Sequence, residues 1–113
     1  MYCVVRRLSG YALADARSLA LHREIARRLR ADPGLLQRAR DRVLTWQRSS
    51  QVASTYVEAW RLALEAGLPA VLEVLEDPSE RGQALRQASP FAYVIPARER
   101  WQLLAQLGAG AWG

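Results

Sequence analysis

One histidine and one cysteine set the limit on side-chain chemistry in this sequence. A zinc site built from His and Cys has too few ligands, and a Ser-His-Asp relay would hang on His22 alone. His22 lies one step off the apolar Leu21 and Ile25 spacing, beside Arg23 and Glu24. It reads as a surface or boundary residue of a helix rather than a general base. Cys3 has no neighbouring base and reads as a small apolar residue near the N-terminus. There is no Gly-rich phosphate loop and no metal-ligand spacing. Glu73, Glu76, Asp77 and Glu80 gather around one turn, where carboxylates could hold a cation or share a proton. They fall at a helix end and its cap, where acids are common for electrostatic reasons. The expectation is therefore a protein that is not an enzyme, with no catalytic residue, cofactor or bound metal.

Arginine carries what chemistry remains. The chain has net charge +5, and all of its basic side chains are arginine. Arginine binds carboxylates and phosphates through two parallel N–H donors, where lysine acts as a point charge. The arginines crowd between Arg6 and Arg48, opposed there by Asp15, Glu24, Asp32 and Asp41. From Ser49 onward acids outnumber them. Arg23, Arg27 and Arg30 are spaced to share one helical face, and Arg38 and Arg42 form a ridge on the next helix. Two anionic partners fit this pattern, an acidic protein surface and a nucleic-acid backbone. A solvated face laced by local pairs, such as Glu24 with Arg27 or Arg28 and Asp41 with Arg38, is the competing structural explanation. Helix-turn-helix recognition is poorly served, because no clear recognition helix follows the turn at Asp32-Pro33-Gly34.

The elements that must position these residues are helices. Leu21, Ile25 and Leu29 recur every four residues, which predicts a helix over 13–31. Asp32 and Pro33 then supply an N-cap and a first helical residue for a second helix over 33–48, with Leu36, Ala39, Val43 and Trp46 as its buried line. After a break at 49–51, a third helix presents Val52, Tyr56, Trp60, Ala63 and Leu64 and ends at Gly67 as a C′ residue. A short, very apolar helix from 68 to about 75 is expected at the centre of the fold. A fifth helix, capped at Asp77-Pro78-Ser79 and weakened by Gly82, follows to about 87. Prolines bound an extended bridge over 89–96. A last helix over 96–107 is expected to turn Trp101 and Leu104 inward, with a frayed tail over 108–113. Residues 2–8 are β-prone and belong to an N-terminal arm over 1–12, which a homodimer could use as an exchanged strand.

The chain of 113 residues, half of them hydrophobic, suits a single domain with its own core. No apolar run approaches a membrane span, and no secretory signal is evident, so a cytoplasmic protein without a membrane partner is expected. The fold class is all-α, an irregular bundle of five to six short helices.

The stretch ALRQASPFAYVIPARERWQLL over 84–104 resembles the LRQSSPFAGVLxPxERW ending of small bacterial helical proteins of toxin–antitoxin-like gene pairs. Leu21-His22-Arg23, and Tyr56 four residues before Trp60, are similar to other parts of that family, so the likeness covers about 19–104. Tyr93 stands where the family has glycine. The resemblance implies an antitoxin-like protein that binds and neutralises a protein partner, the cognate toxin or another neighbouring-gene product. The partner-binding residues expected from charge and from this block are Arg23, Arg27, Arg30, Arg38, Arg42, Phe91, Tyr93, Arg98, Arg100 and Trp101. Aromatic and arginine side chains beside rigid prolines match the composition of interface hot spots. A DNA-binding regulatory role for the Arg-rich first hairpin is the alternative.

Overall fold

A computed structural model describes the backbone over 10–112 and the side chains over 15–106. Among these residues six α-helices form the expected all-α bundle: α1 (Gly10–Ala31), α2 (Leu36–Ser49), α3 (Ser54–Ala66), α4 (Leu68–Glu76), α5 (Glu80–Gln87) and α6 (Ala97–Trp112). Short 3-10 turns lie at Pro33–Leu35 and Ala92–Val94. The expected arm overlaps α1 at 10–12, which are helical, while Cys3 and the rest of the arm lie outside the described residues. The expected tail is also helical as far as Trp112, since α6 continues five residues past Leu107.

Local chemistry explains most boundaries. Asp32 accepts a hydrogen bond from the Gly34 N–H at 3.2 Å, and Pro33 follows it, as the cap signal predicts. That cap opens a 3-10 turn, so α2 itself starts only at Leu36. Ser50 ends α2 in the left-handed region (φ 58°), its N–H donating to the Trp46 carbonyl. Gly67 (φ 111°) closes α3 and opens α4 at once, a turn that L side chains with a Cβ rarely adopt. The Ser79 hydroxyl caps α5 by accepting from Gly82 N–H at 3.3 Å.

Gly82 corrects the sequence reading. It is buried, and a Cβ there would stand 2.1 Å from the Asp77 carbonyl oxygen. The residue weakens the helix in isolation, yet only glycine lets α5 fold back against the chain that caps it.

α4 occupies the centre, packed against α1, α3 and α5, with Val71 and Leu75 wholly buried. On α1 Ile25 and Leu29 are buried, as the periodicity anticipates, Leu21 is half-buried, and Ala26 joins them in the core. On α3 the buried line is Val57, Trp60, Ala63 and Leu64, with Tyr56 half-buried at its edge, while Val52, expected on this helix, lies before its start and is half-buried. The proline-bounded segment is compact rather than extended. Pro90, Phe91, Val94 and Ile95 are all buried, and Phe91 meets Trp60 edge-on at 5.6 Å between ring centroids. The Trp60 indole N–H donates to the Leu85 carbonyl at 3.0 Å, so this large ring is buried with its polar atom satisfied.

α6 is tied down mainly by Arg28. From α1 its guanidinium donates to Glu24 at 2.8 Å, to the Val94 carbonyl at 3.2 Å and to Glu99 at 2.5 Å. One α1 side chain thus holds its own helix, the 3-10 turn that ends at Val94 and the start of α6 together. No described helix is long and apolar enough to cross a membrane.

Candidate functional site

The arginines of α1 and α2 have different fates. Arg27 is exposed and forms a two-pronged pair with Glu24, at 2.6 and 2.9 Å. Arg30 bonds Glu76 at 2.6 Å and so links α1 to α4. Glu24, held between Arg27 and Arg28, has its pKa lowered to about 2, chiefly by the hydrogen bonds from Arg27. Arg23 is exposed and makes no ion pair among the described residues. Two of the three members of the expected α1 stripe are therefore neutralised by carboxylates.

On α2, by contrast, Arg38, Arg40, Arg42 and Arg48 are all exposed, and none forms an ion pair among the described residues. The expected Asp41–Arg38 pair is replaced by a bond from Gln37 to Asp41 at 3.0 Å. Arg38 instead covers Tyr93, its guanidinium carbon 4.5 Å from the ring centroid. The Tyr93 hydroxyl donates to the Leu35 carbonyl. Burial pushes the phenol pKa up, while Arg38 and Arg42 pull it the other way. The fold therefore gathers three expected residues, Arg38, Arg42 and Tyr93, into one basic aromatic patch. The Tyr93 ring supplies the platform for Arg38.

The remaining residues separate. Phe91 is fully buried against Trp60 and offers no surface to a partner, so its expected contact role is corrected to a core role. Trp101 is 73% exposed, which overturns the inward orientation expected from helical spacing. Leu104, also expected inward, is half-buried, as is Leu103. Arg98 is exposed, and Arg100 leans back toward the carbonyls of Ala92 and Ile95 at 3.4 and 3.5 Å.

Two polar residues lie deeper than the sequence suggested. His22 is buried, with Nδ1 2.7 Å from the Ser18 carbonyl oxygen. Burial lowers its pKa, the hydrogen bond to Ser18 opposes this, and the charge of Arg86 lowers it further. The neutral ring therefore donates through Nδ1 to that carbonyl. Arg86 was not singled out from the sequence, yet its side chain is wholly buried. The available signal was spacing, since Gly82, Leu85 and Arg86 fall at i, i+3 and i+4 on one face of α5. Of the acidic cluster, Glu76 is engaged by Arg30 and Asp77 accepts from the Ser79 N–H at 2.8 Å. That backbone bond holds the Asp77 carboxyl below its usual pKa. These contacts give both acids structural partners.

The class defined by this architecture is an all-α bundle with exposed arginines on α1, α2, α5 and the start of α6, those of α2 making no ion pair among the described residues. No protein-family model, curated protein or solved structure matches the chain.

Proposed function

We propose that this protein is a non-catalytic interaction module that binds an acidic surface of a protein partner. The observation that carries the reading is Trp101, 73% exposed on α6 with Arg98 and Arg100 within the same turn. A large ring in water gains most by being covered, and Trp and Arg dominate interface hot spots. The patch of Arg38 and Arg42 around Tyr93 adds a second element of the same chemistry. The resemblance of residues 84–104 to antitoxin-like proteins makes the cognate toxin, or another neighbouring-gene product, the partner of this reading.

The test is a pull-down of the tagged protein from its native host, with and without nuclease, alongside Trp101→Ala. One stoichiometric protein, retained after nuclease and lost with Trp101→Ala, is the expected result. Failure to recover any protein, or retention that ignores Trp101, would sink it.

One observation favours a second reading, binding to nucleic acid. The four exposed arginines of α2 have no carboxylate within ion-pair distance among the described residues. Phosphate binding through them would weaken steeply with salt, and each lost arginine would flatten that slope by about one. Recovery of nucleic acid alone, released by salt and by Arg38→Gln with Arg42→Gln, would favour this reading over the first.

A further inference from the structure

The face that α2 and α3 form together carries an exposed leucine and two charges that do not meet. Only residues 50–53 join these helices, so they lie side by side as a hairpin. Between them runs a groove of about 360 Å³. Val43 and Leu64 line its depth and are buried, while Leu44 stands at its edge 49% exposed. Covering such a leucine is favourable in proportion to the apolar area removed from water.

The two sides of the groove differ in charge. On the α2 side, Arg40 makes no ion pair among the described residues. On the α3 side, Arg61 is shared by two carboxylates, donating to Glu58 at 3.0 Å through Nε and to Glu65 through Nη1. One cation does not cancel two anions, so this side keeps a surplus negative charge, and Glu65, its side chain 66% exposed, brings it to the groove. Arg40 and Glu65 therefore line one groove without pairing inside the chain. Arg38 and Arg42 stay clear of it, each two residues from Arg40 and so about 200° round the helix, with Arg38 laid over Tyr93.

We propose that this face pairs with a second copy of the chain about a two-fold axis running along the groove. That axis lays α2 of one protomer over α3 of its partner, and the reverse. Leu44 of each protomer enters the groove of the other, and Arg40 of each faces Glu65 of the partner subunit. An axis across the helices would instead set one arginine-rich α2 against the other, so charge selects the orientation. Charge also selects the occupant: a uniformly acidic segment or a nucleic acid would suit Arg40 but be repelled on the Glu65 side. The helices have 14 and 13 residues, so the face is about 20 Å long. That is a small interface, which suits a reversible dimer rather than a permanent one. It does not involve Trp101, so this pairing and the interaction reading can fail separately.

The test is sedimentation velocity on the full chain over a concentration series, with NMR spectra at the same concentrations. A reversible monomer–dimer equilibrium is expected, in which the Val43, Leu44 and Leu64 signals shift as the dimer fills. Leu44→Ser should weaken the dimer about tenfold or more, because two leucines lose their cover. Its melting temperature at low concentration should stay near that of the parent, since the side chain is half in water already. Arg40→Glu and Glu65→Arg should each weaken the dimer, and the chain carrying both should recover it, because opposite charges face each other again. That recovery separates a lost contact from a damaged fold. The proposal is overturned by a chain that stays monomeric at every concentration, by a dimer that ignores Leu44→Ser, or by a double variant no better than either single one. A monomeric chain whose captured protein is lost with Leu44→Ser would give the groove to that protein instead, and would overturn it too.

Discussion

Arg28 on α1 and Glu99 on α6 are 71 residues apart in sequence and 2.5 Å apart in space. The contact is partly exposed, so its Coulomb energy is screened, but the same guanidinium also holds Glu24 and the Val94 carbonyl. Arg28→Ala should destabilise the fold by about 1–2 kcal/mol, and Glu99→Gln by about 0.5 kcal/mol or less. Urea unfolding would measure both. Hydrogen exchange in Arg28→Ala should accelerate first in α6, because that helix loses its main polar tie to α1. Equal losses in the two variants would contradict the three-way role of Arg28.

Gly82→Ala separates local propensity from tertiary fit. In an isolated helix alanine is better than glycine by about 1 kcal/mol. Here the added Cβ would meet the Asp77 carbonyl oxygen at 2.1 Å, a backbone atom that cannot swing aside as the end of a flexible side chain could. A net loss of about 2 kcal/mol or more is expected, read as a fall in melting temperature. A stabilised variant would show that α5 can shift away from the Asp77 turn at little cost.

Phe91 and Trp101 should behave as opposites although both belong to the same sequence block. Phe91→Ala empties a fully buried site against Trp60 and should lose about 3–5 kcal/mol. Trp101→Ala removes an exposed ring and should change folding stability by about 0.5 kcal/mol or less. Its effect should appear in partner binding instead. Chemical denaturation of the two variants, followed by the pull-down, distinguishes a core role from a surface role.

The pH dependence should fall into two windows. Burial holds His22 below its usual value of 6.5, so its contribution to stability is complete above that pH. As the pH falls below 6.5 the unfolded chain takes up the proton first, and stability declines until the folded-state pKa is reached. Glu24 acts in a lower window, because its pKa moves from 4.5 to about 2. Its contribution is present above 4.5 and is lost as the pH falls from there toward 2. An NMR titration of the single histidine, with urea unfolding at each pH, checks the upper window. A ring that titrates at or above 6.5 in the folded protein would contradict its buried, neutral state.

Much of the secondary structure was legible in the sequence because helix signals are local. The Asp32-Pro33 cap, the Gly67 stop, the Ser79 cap and the four-residue recurrence of Leu21, Ile25 and Leu29 each act within one or two turns. The boundaries that moved were also local in origin, such as the 3-10 turn that delays α2 to Leu36. The candidate site was legible only in part. Exposed arginines on α2 follow from its amphipathic pattern, but the pairing of Arg30 with Glu76 joins helices 46 residues apart.

The sequence by itself determined an all-α fold, the order of its helices, its arginine-only basic charge and the main apolar stripes of α1 and α2. The tertiary structure decided which boundary residues went inward. His22 and Arg86 are buried, and Trp101 faces water, because the neighbours of a boundary position belong to other helices. Periodicity locates a stripe, but its width depends on how many helices converge there. Around His22 and Arg86, α1, α5 and the proline-bounded segment converge and enclose two polar side chains. At Trp101 no described element covers the ring, so a residue hydrophobic enough for the core remains on the surface.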